Sequence, residues 1–491
     1  MHRLIAFTKK RLFYIILCAV LLAQVVSKIA LGYIDTDTYF ILAEGRDIFA
    51  YGIKHINTFT VVPDLKIVVQ QWLWCVITYG TYDLLGNMGL LMICILETIA
   101  IAALLFYIGW SKKMDPSMLL IMVSIFLFLF SEFISTRPNA TTIILLLSEL
   151  IALEKYKKSK NPHRSIYLGI VLTVLTFLEI NLHASMWVFH FVFLLPYVVP
   201  PINTFAAKLR KRNYPVKPIL CSMIPMAGVL FINPYGIDGI LYLFRAYGKK
   251  LNSIGIGELQ HVEITSLTGA VIIIALVFYI GYYMVPKRSI SAETFYLFVG
   301  TMILGCICYR NFYYTCIGLF MLVCDALSYR NFDKFHDFIN NQTKPVMFLA
   351  VAALSISVWY AVDTGAHREA DWEGEPIKAV EYLDEHASDG TTVYTGFNTG
   401  AFLEWSGYKV FIDARPELFM KKINGKEDVI DAFIDQCNDL DFQEYRDFVE
   451  RYHFDYYLAA EGSLMDAFLQ SDDSSKVVVQ GEEYRLYEYT Y

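Results

Sequence analysis

The chain has 491 residues, 56% of them hydrophobic and 18% charged, a balance too apolar for a water-soluble enzyme; the mean hydropathy of +0.43 makes a bilayer the default solvent. The charge is divided: from Thr364 onward 28 Asp and Glu stand against 11 Lys and Arg, whereas the first 363 residues carry 30 basic and 20 acidic groups. A strongly acidic C-terminal part repels phosphate backbones, which excludes nucleic acid as a partner.

Apolar runs of spanning size lie near 12–33, 87–110, 116–134, 140–154, 165–182, 184–200, 216–233, 266–285, 290–308, 310–327 and 344–362, about eleven transmembrane helices. The first run is too long for the apolar core of a signal peptide and has no small-residue cleavage site, so it reads as a signal anchor. With the N-terminus cytoplasmic, the inside loops hold 21 Lys and Arg, among them Lys112, Lys157, Arg212 and Arg330, against eight in the short outside loops. An odd number of spans then puts the acidic part outside. The expected division is a transmembrane domain of 1–363 and an extracytoplasmic domain of 364–491, in a multi-pass protein of the plasma (inner) membrane.

Two outside loops, 34–86 and 234–265, are longer than a connection needs, which places the elaboration of the molecule on that face. Within the first loop, Asp37–Tyr51 and Val68–Tyr82 have helical apolar spacing, and Trp72, Trp74 and Tyr79 suit a headgroup belt, so both segments are expected to lie against the membrane. After about residue 370, helical runs (377–386, 428–435, 442–453, 464–469) alternate with strands (391–395, 409–412, 456–459, 476–480, 484–489), the pattern of a small α/β domain. Eight of the nine cysteines lie in or beside apolar runs and only Cys437 falls in this domain, which therefore has no internal disulfide.

The residues able to carry chemistry collect at the expected outer face. Asp35-Thr-Asp37 follows the first span; two carboxylates there can act as a general base or hold a divalent cation beside a lipid phosphate, and equally an Asp there can do no more than cap the helix behind it. Glu44, seven residues on, shares a helical face with Asp37, as a member of the cluster or as a solvated side chain. Arg137 and Arg310 stand at headgroup depth, where each can grip a phosphate or snorkel to the interface. Glu179, Asn181 and His183 crowd the turn between two spans, a site or a hydrogen-bonded hairpin. Asp413 and Arg415 read as an internal ion pair at the end of a strand. No HExxH, P-loop, paired CxxC or GxSxG is present, so metalloprotease, NTPase and serine-hydrolase chemistry has no support.

In this order the motifs resemble a family of bacterial membrane proteins related to the GT-C glycosyltransferases, multi-spanning enzymes that use polyprenyl-phosphate sugars. The resemblance covers nearly the whole chain: Asp35, Asp37, Thr38 and Tyr39; Gly45; Trp72-Leu73; Arg137-Pro138; Asn181-Leu-His183; Asn233-Pro-Tyr-Gly236; Arg310-Asn311; then Gly400, Leu403, Trp405 and Phe411-Ile-Asp-Ala-Arg415. It departs at Ile41, where relatives have His, and at Gln70-Gln71, where they have His-Glu. What the resemblance implies is a GT-C-like fold and a glycosyltransferase moving a sugar from a polyprenyl-phosphate lipid donor in the membrane to an envelope acceptor, a glycan, lipid or protein. It further implies Asp37 or Asp35 as catalytic base, with a divalent cation such as Mg or Mn between them as an option, and Arg137, Arg310, Asn181, His183, Glu44 and Trp72 as substrate-binding groups. The competing expectations are a non-catalytic transporter or assembly factor for envelope polysaccharide, which the missing His and Glu positions make respectable but the lack of an internal repeat and of basic residues in the spans, Lys28 apart, disfavours, and a receptor, which the short inside loops disfavour.

Overall fold

The computed structural model describes residues 2–32, 34–246, 260–334, 336–337, 352, 355, 374–438 and 440–491. The expected span 344–362, most of the tip of the second long loop and the junction at 363/364 lie outside the described residues.

In chain order come α1 (His2–Gly32), α2 (Thr36–Tyr51), α3 (Trp72–Leu85), α4 (Asn87–Ser111), α5 (Pro116–Phe130), α6 (Asn139–Lys158), α7 (Arg164–Leu182) and α8 (Trp187–Val198). There follow β1 (Lys208–Arg210), α9 (Lys217–Val229), α10 (Ile237–Ala246), α11 (Leu267–Tyr279), β2 (Ser289–Ser291), α12 (Ala292–Ile307) and α13 (Phe312–Leu327). The last stretch holds α14 (Gly374–His386), β3 (Thr392–Tyr394), α15 (Phe397–Trp405), β4 (Lys409–Val410), α16 (Val429–Asn438), α17 (Phe442–Tyr452), β5 (Tyr456–Ala460), α18 (Leu464–Ser471), β6 (Ser475–Gln480) and β7 (Tyr484–Tyr489). The described residues divide into two compact units, one drawn from 1–33, 91–233 and 255–362, the other from 34–90, 234–254 and 363–491. The described parts of the two long loops thus fold with the acidic C-terminal part and not with the helices they connect.

The first unit is a helix bundle. Among the described residues four helical segments are long and apolar enough to cross a membrane, Asn87–Ser111, Pro116–Phe133, Arg164–Leu182 and Leu267–Met284, while Ile16–Ala30, Ala184–Val198, Lys217–Val229 and Ala292–Ile307 are apolar but shorter. The expected count of eleven is not reached by length and composition. Two runs overstate helix length because they continue through turns: the run 184–200 opens with a 3₁₀ turn at Ala184–Met186, and 290–308 loses its ends to β2 and an extended Cys308. Helices α12 and α13 touch at their glycines, where a Cβ on Gly305 or Gly318 would lie 2.1 Å from the hydroxyl of Thr315 or Thr301. At one end of the bundle, residues from four loops expected on the inside meet: Lys112 and Lys157 pair with Glu154 at 3.8 and 2.8 Å, Lys157 and Arg212 approach Glu293 at 3.7 and 3.9 Å, and β1 pairs in parallel with β2.

The second unit is built on a five-stranded sheet of order β4-β3-β5-β7-β6, parallel across β4-β3-β5 and antiparallel across β5-β7-β6. Alternation had placed all five strands; α15, lying between two of them, had no periodic signal strong enough to announce it. Its Gly400 lets the helix rest on the following strand, since a Cβ there would sit 1.9 Å from Ile412 O. Helix α2 packs on α15 and on α3, and Gly45 brings it so close to α3 that a Cβ would fall 2.2 Å from Cys75 O. The apolar face of Asp37–Tyr51 expected at the membrane surface is therefore spent on protein: Phe40, Ile41, Leu42, Ala43 and Ile48 are buried. On α3, Trp74 and Cys75 are buried likewise, and Tyr79 and Tyr82 pack on Trp405 at 6.3 and 5.4 Å between ring centroids.

Candidate functional site

The sequence-derived candidates divide between the two units, Asp35, Asp37, Glu44 and Trp72 in the second and Arg137, Asn181, His183 and Arg310 in the first.

In the second unit Asp35 is the N-cap of α2. Its Oδ1 accepts from Thr38 N at 3.0 Å and from Thr38 Oγ1 at 3.1 Å, while Thr38 Oγ1 accepts from Asp35 N at 2.9 Å, a reciprocal capping box. One carboxylate of the pair is thus occupied with the helix terminus, whose positive end also favours the charge of Asp37 in the first turn. Asp37 itself is half-buried. Trp72, also half-buried, opens α3.

Glu44 is not solvated: it is fully buried, and Oε1 accepts from Arg415 Nη1 while Oε2 lies 3.1 Å from Lys54 Nζ. Arg415 also holds Asp413, with Nε at 3.0 Å from Oδ1 and Nη2 at 2.6 Å from Oδ2, and Glu404 at 3.2 Å. Asp413 and Arg415 form the ion pair expected of them, enlarged by partners from α2 and α15. Burial, then the charge of Asp413, pushes the Glu404 carboxyl well above its ordinary value, whereas Asp413, despite its own burial, is held below its ordinary value by Arg415 and by the hydrogen bond from Glu404. Glu404 therefore stands as the acid that donates to Asp413. A cavity of about 30 Å³ lies against this cluster, lined by Phe40, Glu44, Gln70, Tyr242, Arg415 and Glu417. It has room for one or two waters but not for a sugar.

In the first unit three helix termini converge: the end of α7 with Asn181 and His183, the start of α6 with Thr142, and the start of α13 with Arg310. Asn181 Nδ2 donates to Phe177 O at 2.9 Å and to Ile232 O at 3.0 Å, which assigns it the hairpin role and ties α7 to the turn after α9. His183 is 2% exposed, and its Nδ1 lies 3.0 Å from Thr142 Oγ1. Burial, with the Arg310 charge beside it, keeps this imidazole neutral, bringing it down to about 3. Arg137, half-buried, precedes α6 in the Arg-Pro turn, and Lys28 pairs nearby in sequence terms with Glu132 at 2.8 Å, a carboxylate that also accepts from Tyr309.

Behind His183 the line of polar side chains continues into the bundle. Thr142 Oγ1 lies 2.6 Å from Glu179 Oε1, Glu179 Oε2 is 3.3 Å from His190 Nε2, and His190 Nδ1 meets Glu149 Oε2. Glu149, Glu179 and His190 are all fully buried. Glu179 was suspected at its turn; Glu149 and His190 were passed over, although an acid and an imidazole inside apolar runs are signals that mark functional positions in membranes.

Among the described residues no set of three His, Cys, Asp or Glu groups is placed to hold a metal ion. Asp35 Oδ1 is engaged as the cap, and the Asp35/Asp37 pair offers two carboxylates where a divalent cation takes six or more oxygens.

Compared by sequence, the chain matches no protein-family model and no curated protein. Compared by structure, it is similar to the crystal structure of the oligosaccharyltransferase of Archaeoglobus fulgidus, solved tethered through a disulfide to an acceptor peptide containing the NVT sequon: TM-score 0.50, 12% identity, covering 93% of this chain and 70% of that one. At that identity the likeness speaks for the fold alone. The shared fold is a helical part with apolar helices of spanning length and a sheet-containing C-terminal domain.

Proposed function

We propose that this protein is a membrane glycosyltransferase that moves a sugar from a polyprenyl-phosphate donor to an envelope acceptor on the outer face of the plasma membrane, with about eleven spans, the N-terminus cytoplasmic and the C-terminal domain extracytoplasmic. The observation that carries the proposal is the convergence of Arg310, neutral His183 and the Thr142–Glu179 pair at one end of a bundle whose fold is that of an oligosaccharyltransferase. Sugar transfer from a lipid phosphate needs a carboxylate to take the acceptor's proton and cations to hold the phosphate as charge builds on it. Asp37 has the first task, and Arg310 and Arg137 the second. Attack from the side opposite the phosphate inverts the anomeric carbon. No step here passes through a metal ion; a divalent cation would bind at Asp37 only with phosphate oxygens filling its shell. A peptide or a glycan suits as acceptor, the peptide by likeness to the archaeal enzyme.

The test is transfer from a radiolabelled polyprenyl-phosphate sugar in membranes holding wild-type protein or Asp37→Asn at matched expression. A loss of about 100-fold or more is expected, within the usual range for a general base; undiminished transfer removes Asp37 from the role. The second reading, a non-catalytic transporter or assembly factor for envelope polysaccharide, is favoured by one observation, the buried Glu149, Glu179 and His190, because ionisable groups in spans mark proton and substrate pathways. It requires activity that collapses when a transmembrane proton gradient is dissipated, which glycosyl transfer in detergent does not need.

A further inference from the structure

Four buried side chains of the bundle, Glu149, His190, Glu179 and Thr142, have no part in the reaction as written above, yet they form an unbroken hydrogen-bonded line that ends on His183. None of the five is more than 2% exposed. Only one cation, His190, is hydrogen-bonded to the two carboxylates themselves; Arg310 stands beside His183, at the far side of Thr142 from Glu179, and keeps His183 from taking up a charge of its own. An excess buried charge is costly, so the neutral arrangement, His190 protonated and one carboxyl keeping its hydrogen, is the stable one. The line therefore stores one spare proton.

Thr142 has a single hydroxyl hydrogen, so the position of that proton fixes the direction of every bond between Glu179 and His183. With Glu179 as the acid, Glu179 donates to Thr142, Thr142 donates to His183 Nδ1, and the ring hydrogen of His183 is on Nε2. With Glu179 ionised, Thr142 donates to Glu179, Nδ1–H donates to Thr142, and Nε2 is bare. The two states differ by one proton at Nε2, and neither sets an imidazolium next to Arg310. Nε2 has no hydrogen-bond partner among the described residues, which leaves it for a substrate atom.

We propose that this line is a proton relay and that His183 is the general acid for the departing lipid phosphate, an inference that rests on the glycosyl transfer proposed above. As the glycosidic C–O bond breaks, its electron pair stays on the phosphate, and a phosphate oxygen takes the hydrogen of Nε2. Nδ1 takes the hydrogen of Thr142, Thr142 takes that of Glu179, and Glu179 is left as a carboxylate facing protonated His190. The acceptor's proton goes to Asp37 and the lipid leaves as a phosphate monoanion, so charge and hydrogen balance. The residues that act through His183 are positioning groups; His183 alone meets the substrate.

The experiment uses full-length protein in liposomes with a polyprenyl-phosphate sugar. Glu179→Gln and Thr142→Val should lower kcat about 100-fold or more with little change in KM, and should abolish the fall in rate that wild type shows at alkaline pH as the stored proton is lost. Rates within threefold of wild type with an unchanged pH profile would overturn the relay. Infrared spectra at neutral pH give a readout that needs no activity: wild type should show a carboxylic-acid carbonyl band that the Glu149→Gln/Glu179→Gln double variant lacks. Without that band there is no spare proton and the relay fails; the band in a wild type that transfers no sugar would keep the stored proton and sink only the transfer reading.

Discussion

Two of the buried carboxylate clusters among the described residues are opposites in the cation each is built around. In the second unit Glu44, Glu404 and Asp413 surround Arg415, a guanidinium that does not deprotonate in proteins, and the Lys54 ammonium lies beside Glu44. In the helix bundle Glu149 and Glu179 surround His190, which can change its charge. The first arrangement fixes a structure: it locks α2, which Asp35 caps and Asp37 opens, to the Phe411–Arg415 segment after β4 and to α15. The second can hand a proton along without moving a helix. Equal burial thus supports a clamp in one place and a switch in the other.

The largest effect should come from breaking the clamp. Arg415→Met leaves three buried acids without their cation and is expected to cost about 3–5 kcal/mol, read as a large drop in thermal midpoint or failure to accumulate. If it melts within a few degrees of wild type, the cluster does not hold α2. His190→Gln is expected to cost less, on the order of 1–2 kcal/mol, because its two partners can meet the loss by protonation and keep a hydrogen bond. Gly400→Ala, which thrusts a methyl to 1.9 Å from Ile412 O, falls between the two, about 1–3 kcal/mol by overpacking, and its damage should be confined to the second unit in hydrogen exchange.

Acidity separates the members of the clamp. The carboxyl of Asp413 is held low, so its contribution is present above the ordinary Asp range and lost as pH falls through its folded value; that of Glu404 is raised, so its contribution is full below the ordinary Glu range and declines as pH climbs toward its folded value. Glu404→Gln keeps a donor to Asp413 and cannot ionise. It should flatten the decline in thermal midpoint on the alkaline side and leave the acid limb in place; an unchanged alkaline limb would mean that Glu404 is not the protonated partner. The smallest effect is the cap: Asp35→Ala should cost about 1 kcal/mol and Asp35→Ser far less, since serine can replace the capping oxygen. A catalytic loss from Asp35→Ser equal to that of Asp37→Asn would show that Asp35 does more than cap.

How legible each feature was followed from how local it is. The strands of the C-terminal domain could be read because alternation needs only neighbours, and the Asp413–Arg415 pair because its partners are two residues apart. Glu44 was misjudged because its partner, Arg415, lies 371 residues away and no periodicity reports a contact at that separation. The apolar faces of α2 and α3 were assigned to lipid for the same reason: spacing says that a face is buried and does not say in what. The relay was half visible, since Glu179 and His183 crowd one turn, but Thr142, Glu149 and His190 sit on other helices and align only when α6, α7 and α8 pack together. The runs 184–200 and 290–308 overran their helices because hydrophobicity does not stop where hydrogen bonding does, whereas 87–110 and 165–182 came within a residue of α4 and α7.

The central claim is the chemistry at the lipid phosphate, and product analysis tests it most directly. Purified full-length protein in liposomes, given a polyprenyl-phosphate sugar and an envelope extract as acceptor, should release polyprenyl monophosphate in step with transferred sugar of inverted anomeric configuration, and Arg310→Met should abolish both. Transferred sugar with the anomeric configuration retained, or no polyprenyl monophosphate formed by wild-type protein under conditions where it stays folded, would contradict the account.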